Sequence, residues 1–161
     1  MDVCHDQAFQ PYIVSQWSTP SPDVPRRARA ALYEVLERYG CDDETTTDLV
    51  LAAHELIANA NEHAVGPYEV RVRRTSRQIV CEVDDHSPRI PDIPVLPASG
   101  LFLPVESGRG GGLDALCELL SERGRGLHIV DELSNGVWGF RSWRGTKTAW
   151  LALRPPTWRG R

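Results

Sequence analysis

DDETTTDLVLAAHELIANANEHA, running from Asp42 to Ala64, decides how the rest of the chain must pack. At about 100° per residue, Leu49, Val50, Ala53, Leu56, Ile57, Ala60 and Ala64 gather on one arc, and Asp48, Glu55, Asn59, Glu62 and His63 on another. The pattern predicts an amphipathic helix with two separated faces. Its start is specified by Asp42, Asp43 and Glu44 and by Thr45 to Thr47. These set side-chain oxygens and negative charge beside free backbone N–H groups.

The polar arc carries the functional signal. An exposed helix face favours Lys, Arg, Glu or Gln, yet Asn59, Asn61 and His63 are poorer helix formers, so something other than helix stability selects them. Glu55 and Asn59 stand one turn apart on the same face. Such a pair can hold a water, a hydroxyl or a hard metal ion, and it can equally be a solvated face. The helix alone leaves both readings open.

The 161 residues fit one domain, 1–161, long enough to bury a core. A net charge of -4, with 41% hydrophobic and 25% charged residues, is ordinary for a soluble globular protein. Neither a basic patch nor an acidic tail points to direct nucleic-acid binding. No apolar run of about 18 residues and no charged-then-apolar leader occurs, so no membrane span is expected and a cytoplasmic location is. Cys4, Cys41, Cys81 and Cys117 are scattered without a C-x-x-C pair, which argues against a zinc site or a disulfide framework.

On the N-terminal side of the organising helix, Tyr12 to Val14 with Trp17 predict a short strand, and Ser18 to Pro22 a turn. Asp23 with Pro25 just inside starts a helix to about Tyr39, closed by Gly40. On the C-terminal side, Gly66 and Pro67 end the organising helix. Tyr68 to Arg74 and Gln78 to Val83 then alternate like strands of a hairpin. The second strand runs into Asp84, Asp85, His86, Ser87 and Pro88. Acidic residues there are turn formers, or acceptors for a ligand at the sheet's rim.

Residues 88 to 112 hold five prolines and finish in a glycine cluster, Gly108 to Gly112, and a short helix is expected over Leu113 to Ser121. So long a stretch of low structure inside a compact domain marks a functional or disordered segment, taken as a mobile lid over about 88–123. Neither the P-loop nor the dinucleotide fingerprint is complete. Gly124-Arg125-Gly126 leads into a helical run, Leu127 to Leu133. It is either a plain turn or a place where a helix N-terminus stays open to an anion. Two strands, Gly136 to Trp143 and Lys147 to Leu153, close a core of about 11–154, and the tail beyond Pro156 reads as unstructured. Helices and hairpins in this order predict a two-layer α/β sandwich, with helices on one face of a mostly antiparallel mixed sheet. A ligand would lie between the polar arc and the insert.

Four segments, ELIANANEHA (Glu55 to Ala64), DHSP (Asp85 to Pro88), GRGLHIV (Gly124 to Val130) and TKTAW (Thr146 to Trp150), resemble in order the nucleotide-binding boxes of the GHKL ATPase superfamily, whose fold is the Bergerat type. More narrowly the chain looks like the small ATP-binding regulators of actinobacteria related to the anti-sigma factor serine kinases. The likeness covers about residues 24–153. It implies ATP and Mg²⁺ as ligands, with Asn59 holding the Mg²⁺ that bridges the phosphates and Glu55 as general base. By the same resemblance Asp85 reads the adenine amino group, and Thr148 supports the adenine site. The turn of Gly124, Arg125, Gly126 and Leu127 gives backbone N–H groups to the phosphates. Arg109, Arg123 and Arg125 are candidates for touching the phosphates.

The implied function is that of an anti-sigma regulatory factor. It would be a serine protein kinase that phosphorylates an anti-sigma factor antagonist and binds a sigma factor. The alternative is a non-catalytic module that holds ATP or ADP and sequesters a protein partner. Relatives pair through their sheets, so a homodimer belongs to the same expectation. The sequence departs from the wider superfamily in lacking a glycine after Asp85 and in its long stretch between Asp85 and Gly124, which leaves the lid's shape open. Asn61 and His63 read as packing or helix-ending residues.

Overall fold

A computed structural model describes residues 10–87, 89–90 and 126–155. The elements are β1 (Tyr12–Trp17), α1 (Val24–Arg38), α2 (Asp43–His63), β2 (Tyr68–Arg74), β3 (Ile79–Asp85), α3 (Gly126–Leu133), β4 (Trp138–Trp143) and β5 (Thr146–Leu153). The five strands form one sheet in the order β1-β2-β3-β5-β4. All four pairings are antiparallel. The three helices lie on one face, which makes the two-layer sandwich that the sequence predicts, with a sheet antiparallel throughout. The helix expected over Leu113 to Ser121, most of the lid and the C-terminal tail lie outside the described residues. No helix among the described residues is long and apolar enough to cross a membrane.

Strand alternation builds the sheet's half of the core. Tyr68, Val70 and Val72 on β2, Ile79, Cys81 and Val83 on β3, and Ala149, Leu151 and Leu153 on β5 all turn toward the helices. They meet Ala28, Leu32, Val35 and Leu36 of α1 and the whole apolar arc of α2. Leu32, Leu36, Leu49, Leu56 and Ile57 are fully buried, each contributing about 1.5–3 kcal/mol of burial. Cys41 and Cys81 are free thiols, and burial pushes Cys81 up to about 12 and Cys41 to about 11.

Each long helix has one well-made end, whereas Asp23 at the start of α1 makes no side-chain capping bond. Asp42 caps α2, its Oδ1 accepting the Thr45 N–H at 2.8 Å. At the end of α1, Gly40 takes a left-handed conformation (φ +70°). Its N–H reaches Glu37 O at 2.9 Å while the Cys41 N–H reaches Leu36 O at 3.1 Å. This crossed pair satisfies the last carbonyls, and glycine adopts it without a Cβ penalty.

The environment of α2 decides how its polar arc is read. With α1 on one flank, α3 on the other and the sheet beneath, most of this helix is enclosed. Polar residues His54, Glu55 and Asn61 are buried along with its leucines. Asn61 is a clamp: its Nδ2 donates to Ser21 O at 3.0 Å and its Oδ1 accepts the Ser21 N–H at 3.2 Å, tying the turn before α1 to α2. Arg29 of α1 donates through Nη1 to His54 Nδ1 at 2.7 Å, which leaves the ring proton on Nε2.

Candidate nucleotide site

A cleft of about 320 Å³ opens between α2, the start of α3 and the C-terminal end of β3. Glu55, Asn59 and His63 of α2 line it, with Asp85 from β3, Gly126, Leu127 and His128 from α3, and Phe140, Lys147 and Ala149 from the last two strands. Residues as far apart in the chain as Glu55 and Ala149 thus meet at one concavity.

Glu55 is 2% exposed, so the solvated-face reading fails for it. It packs against the first residue of α3, where a Cβ added to Gly126 would lie 2.6 Å from Glu55 Oε2. Glycine lets α3 begin this close without moving the carboxylate. Asn59, one turn further along α2, is half-buried on the same cleft wall. His63 and Glu62 are exposed at the mouth, with Nε2 and Oε2 3.6 Å apart.

Asp85 closes the opposite end. Its carboxylate is 2% exposed. Oδ1 accepts the Ser87 N–H at 2.8 Å, and Oδ2 lies 3.3 Å from Lys147 Nζ. Burial pushes the carboxyl above its ordinary value of 3.8, against the pull of the Ser87 N–H and of the Lys147 ammonium. The turn after β3 is held by its neighbour: His86 N–H donates to Val65 O at 2.7 Å and His86 Nδ1 to Pro67 O at 2.8 Å.

Thr148 is placed differently from the expectation. The ladder between β3 and β5 sets Lys147 across from Asp85 and Thr148 across from Asp84. Adjacent residues of a strand point to opposite faces. Thr148 therefore turns away from the helices and donates through Oγ1 to Asp84 Oδ1 at 2.6 Å. It joins the charged outer face, where Arg71 Nη1 meets Glu69 Oε1 at 2.7 Å and Asp84 Oδ2 at 2.6 Å. The cleft-facing residues of that box are Lys147 and Ala149, neither of which the sequence reading singled out. His128 and Phe140 are further lining residues it missed; the strand register is the signal for Lys147, and His128 simply follows the glycine turn. Gly124, Arg125, Arg109 and Arg123 lie outside the described residues, whereas Gly126 and Leu127 open α3 onto the cleft.

The donor set fits a magnesium nucleotide. Mg²⁺ takes oxygen ligands, usually one or two from protein with the rest from phosphates and water. Asn59 offers an amide oxygen beside the Glu55 carboxylate at one end of the cleft. A helix N-terminus that begins with Gly126 suits an anion, and a buried carboxylate at the far end suits an amine donor. Among the described residues no group of three or more His, Cys, Asp or Glu side chains converges.

The architecture is a helix-on-sheet sandwich whose central helix and β3 terminus frame a cleft. A model of the histidine kinase-like ATPase domain matches residues 18–153, so the chain belongs to that family, the GHKL type of ATPase domain. Among solved structures, the RsbU and RsbW domains of Rv1364c from Mycobacterium tuberculosis superimpose with a TM-score of 0.57 at 19% identity, over 91% of this chain. This chain spans 33% of the length of that matched chain, and the likeness is one of fold. No curated protein sequence matches significantly.

Proposed function

We propose that the protein binds ATP with Mg²⁺ in this cleft and acts as an anti-sigma regulatory factor with serine protein kinase activity. The observation that carries the reading is the convergence of Glu55, Asn59, Asp85 and Gly126 on one concavity within a histidine kinase-like ATPase domain. Asn59 would hold the metal through its amide oxygen, and Asp85 would accept the exocyclic amine of the base. Backbone N–H groups from Gly126 and Leu127, and by the sequence resemblance those of Gly124 and Arg125, would face the phosphates. Mg²⁺, when bound, neutralises charge on the phosphates. Glu55 is the group able to take the proton of an incoming serine hydroxyl as its oxygen bonds to the γ-phosphorus and the bond to the β-phosphate oxygen breaks. The acceptor would be a serine on an anti-sigma factor antagonist, and the sequestered partner a sigma factor, as the sequence resemblance implies.

A specific observation favours a second reading. Glu55 is 2% exposed, beneath the surface that a protein serine would meet. In that reading the domain holds ATP or ADP and sequesters its partner without phosphorylating it. Transfer of labelled γ-phosphate to a serine-bearing antagonist separates the two. For the kinase, Glu55→Gln is expected to leave nucleotide affinity within about threefold and to cut transfer by about 10²-fold or more. Asn59→Ala is expected to weaken Mg²⁺–ATP binding, read by calorimetry, about tenfold or more. Wild-type nucleotide binding without any label transfer would leave the sequestering module.

A further inference from the structure

His128 lines the cleft, and the ATPase resemblance, which gives the phosphates backbone N–H groups of the glycine turn, assigns its side chain no role. It stands in the first turn of α3, two residues after Gly126. Helix starts favour acidic side chains over groups able to carry positive charge, yet this turn holds no acidic residue. Helix stability therefore does not select the imidazole. Packing does not select it either: Ile129 and Val130 are the buried residues of α3, while His128 is half-buried. Among the described residues it makes no hydrogen bond or ion pair with protein. Every Cα–Cβ bond of a helix tilts toward the N-terminus, so a side chain in the first turn leans back over the open end. The first N–H groups there have no partner within the helix. Other basic side chains lining the cleft are engaged elsewhere. Lys147 Nζ lies 3.3 Å from Asp85 Oδ2 and donates to the Arg89 carbonyl at 3.2 Å. His63 Nε2 lies 3.6 Å from Glu62 Oε2 at the mouth.

We propose that His128 is a specificity-determining residue whose ring N–H donates to the terminal phosphate of the bound nucleotide, so that the cleft tells a nucleoside triphosphate from a diphosphate. The proposal rests on the nucleotide-binding reading above. In that reading Glu55 faces the γ-phosphorus. Glu55 also packs against the start of α3, where a Cβ added to Gly126 would lie 2.6 Å from its Oε2. An α-helix rises about 1.5 Å per residue, so His128 is attached only about 3 Å along α3 from that contact, and its side chain leans back toward it. The terminal phosphoryl group is then the part of the nucleotide nearest the imidazole. It is also the part that ADP lacks. A neutral imidazole offers one N–H donor in either tautomer, and a bond from it to an ionised phosphate oxygen is stronger than one between neutral groups.

The test is calorimetric titration of the full chain with Mg²⁺–ATP and Mg²⁺–ADP, repeated on His128→Ala. Removing one hydrogen bond to a charged group is expected to weaken ATP about tenfold or more and to leave ADP within about threefold. The quantity that decides is the ratio of ATP to ADP affinity. A fall of about fivefold or more in the variant supports the proposal, and a smaller change overturns it. A merely structural role would weaken both nucleotides alike and leave the ratio in place. Should His128→Ala fail to fold, judged by circular dichroism, His128→Phe, which keeps a ring and removes the N–H, decides by the same ratio. Failure of both to fold would show that His128 is needed for packing, and would overturn the proposal. Wild-type protein that binds neither nucleotide would overturn the nucleotide-binding reading itself, and this proposal with it. Binding of ADP without ATP, or of both with an unmoved ratio in the variant, overturns the role of His128 alone.

Discussion

Asp85 concentrates the chemistry of the cleft's far end in one side chain. Its carboxyl is held above 3.8 chiefly by burial, so the folded protein binds that proton more tightly than the unfolded chain does. The stabilisation from Asp85 is therefore full below 3.8 and is lost as pH rises through the higher folded value. Asp85→Asn cannot titrate. Urea midpoints from about pH 3 to about pH 7 should show the wild type's stability falling relative to the variant as pH increases. The opposite trend would mean that the Lys147 pair outweighs burial. The sequence marked Glu55, Asn59 and Asp85 as candidates because their spacing on a helix and their place at a strand end are local facts, and it left open whether they meet solvent or a ligand. Lys147 was not legible: a strand of eight residues presents either Thr148 or Lys147 to the cleft according to a register that no local pattern fixes.

At the scale of elements, the contact between α2 and α3 shapes the cleft. A methyl group on Gly126 would meet Glu55 Oε2 at 2.6 Å. Glu55 Oε2 is the end of a side chain that lines the open cleft, so it can swing aside. Gly126→Ala is therefore expected to change fold stability by less than about 1 kcal/mol while re-aiming the Glu55 carboxylate. Phosphoryl transfer should fall with it. Chemical denaturation and a transfer assay on the same preparation check both, and a midpoint that drops by more than about 1 kcal/mol would show that Glu55 cannot move. Helix boundaries were well specified in the sequence, because Asp42 caps α2 and Gly40 ends α1 by local hydrogen bonding. What the sequence left open was whether the polar arc of α2 met water. That depended on α1 and α3 closing on both flanks.

For the whole molecule, sheet order predicts the hierarchy of stability. β3 lies between β2 and β5, while β1 and β4 are the edges. Native-state hydrogen exchange should find the slowest amides in β3 and in the buried middle of α2, opening only with global unfolding. Amides of β4, whose residues from Arg141 to Trp143 are exposed, should exchange by local fraying. Equal protection across the five strands would contradict this order.

By itself the sequence determined the elements and their class of packing: one helix closed by Gly40 and one capped by Asp42, two hairpins and a glycine-led helix, with an apolar arc and alternating strands that could bury only against each other. These follow from interactions within a few residues, namely caps, turns and hydrophobic periodicity. The tertiary structure alone decided the pairing of β3 with β5, the burial of Glu55 and the seating of Lys147 beside Asp85. Those depend on contacts between segments far apart in the chain. There, a one-residue change in register would exchange the cleft-facing side chain for its neighbour.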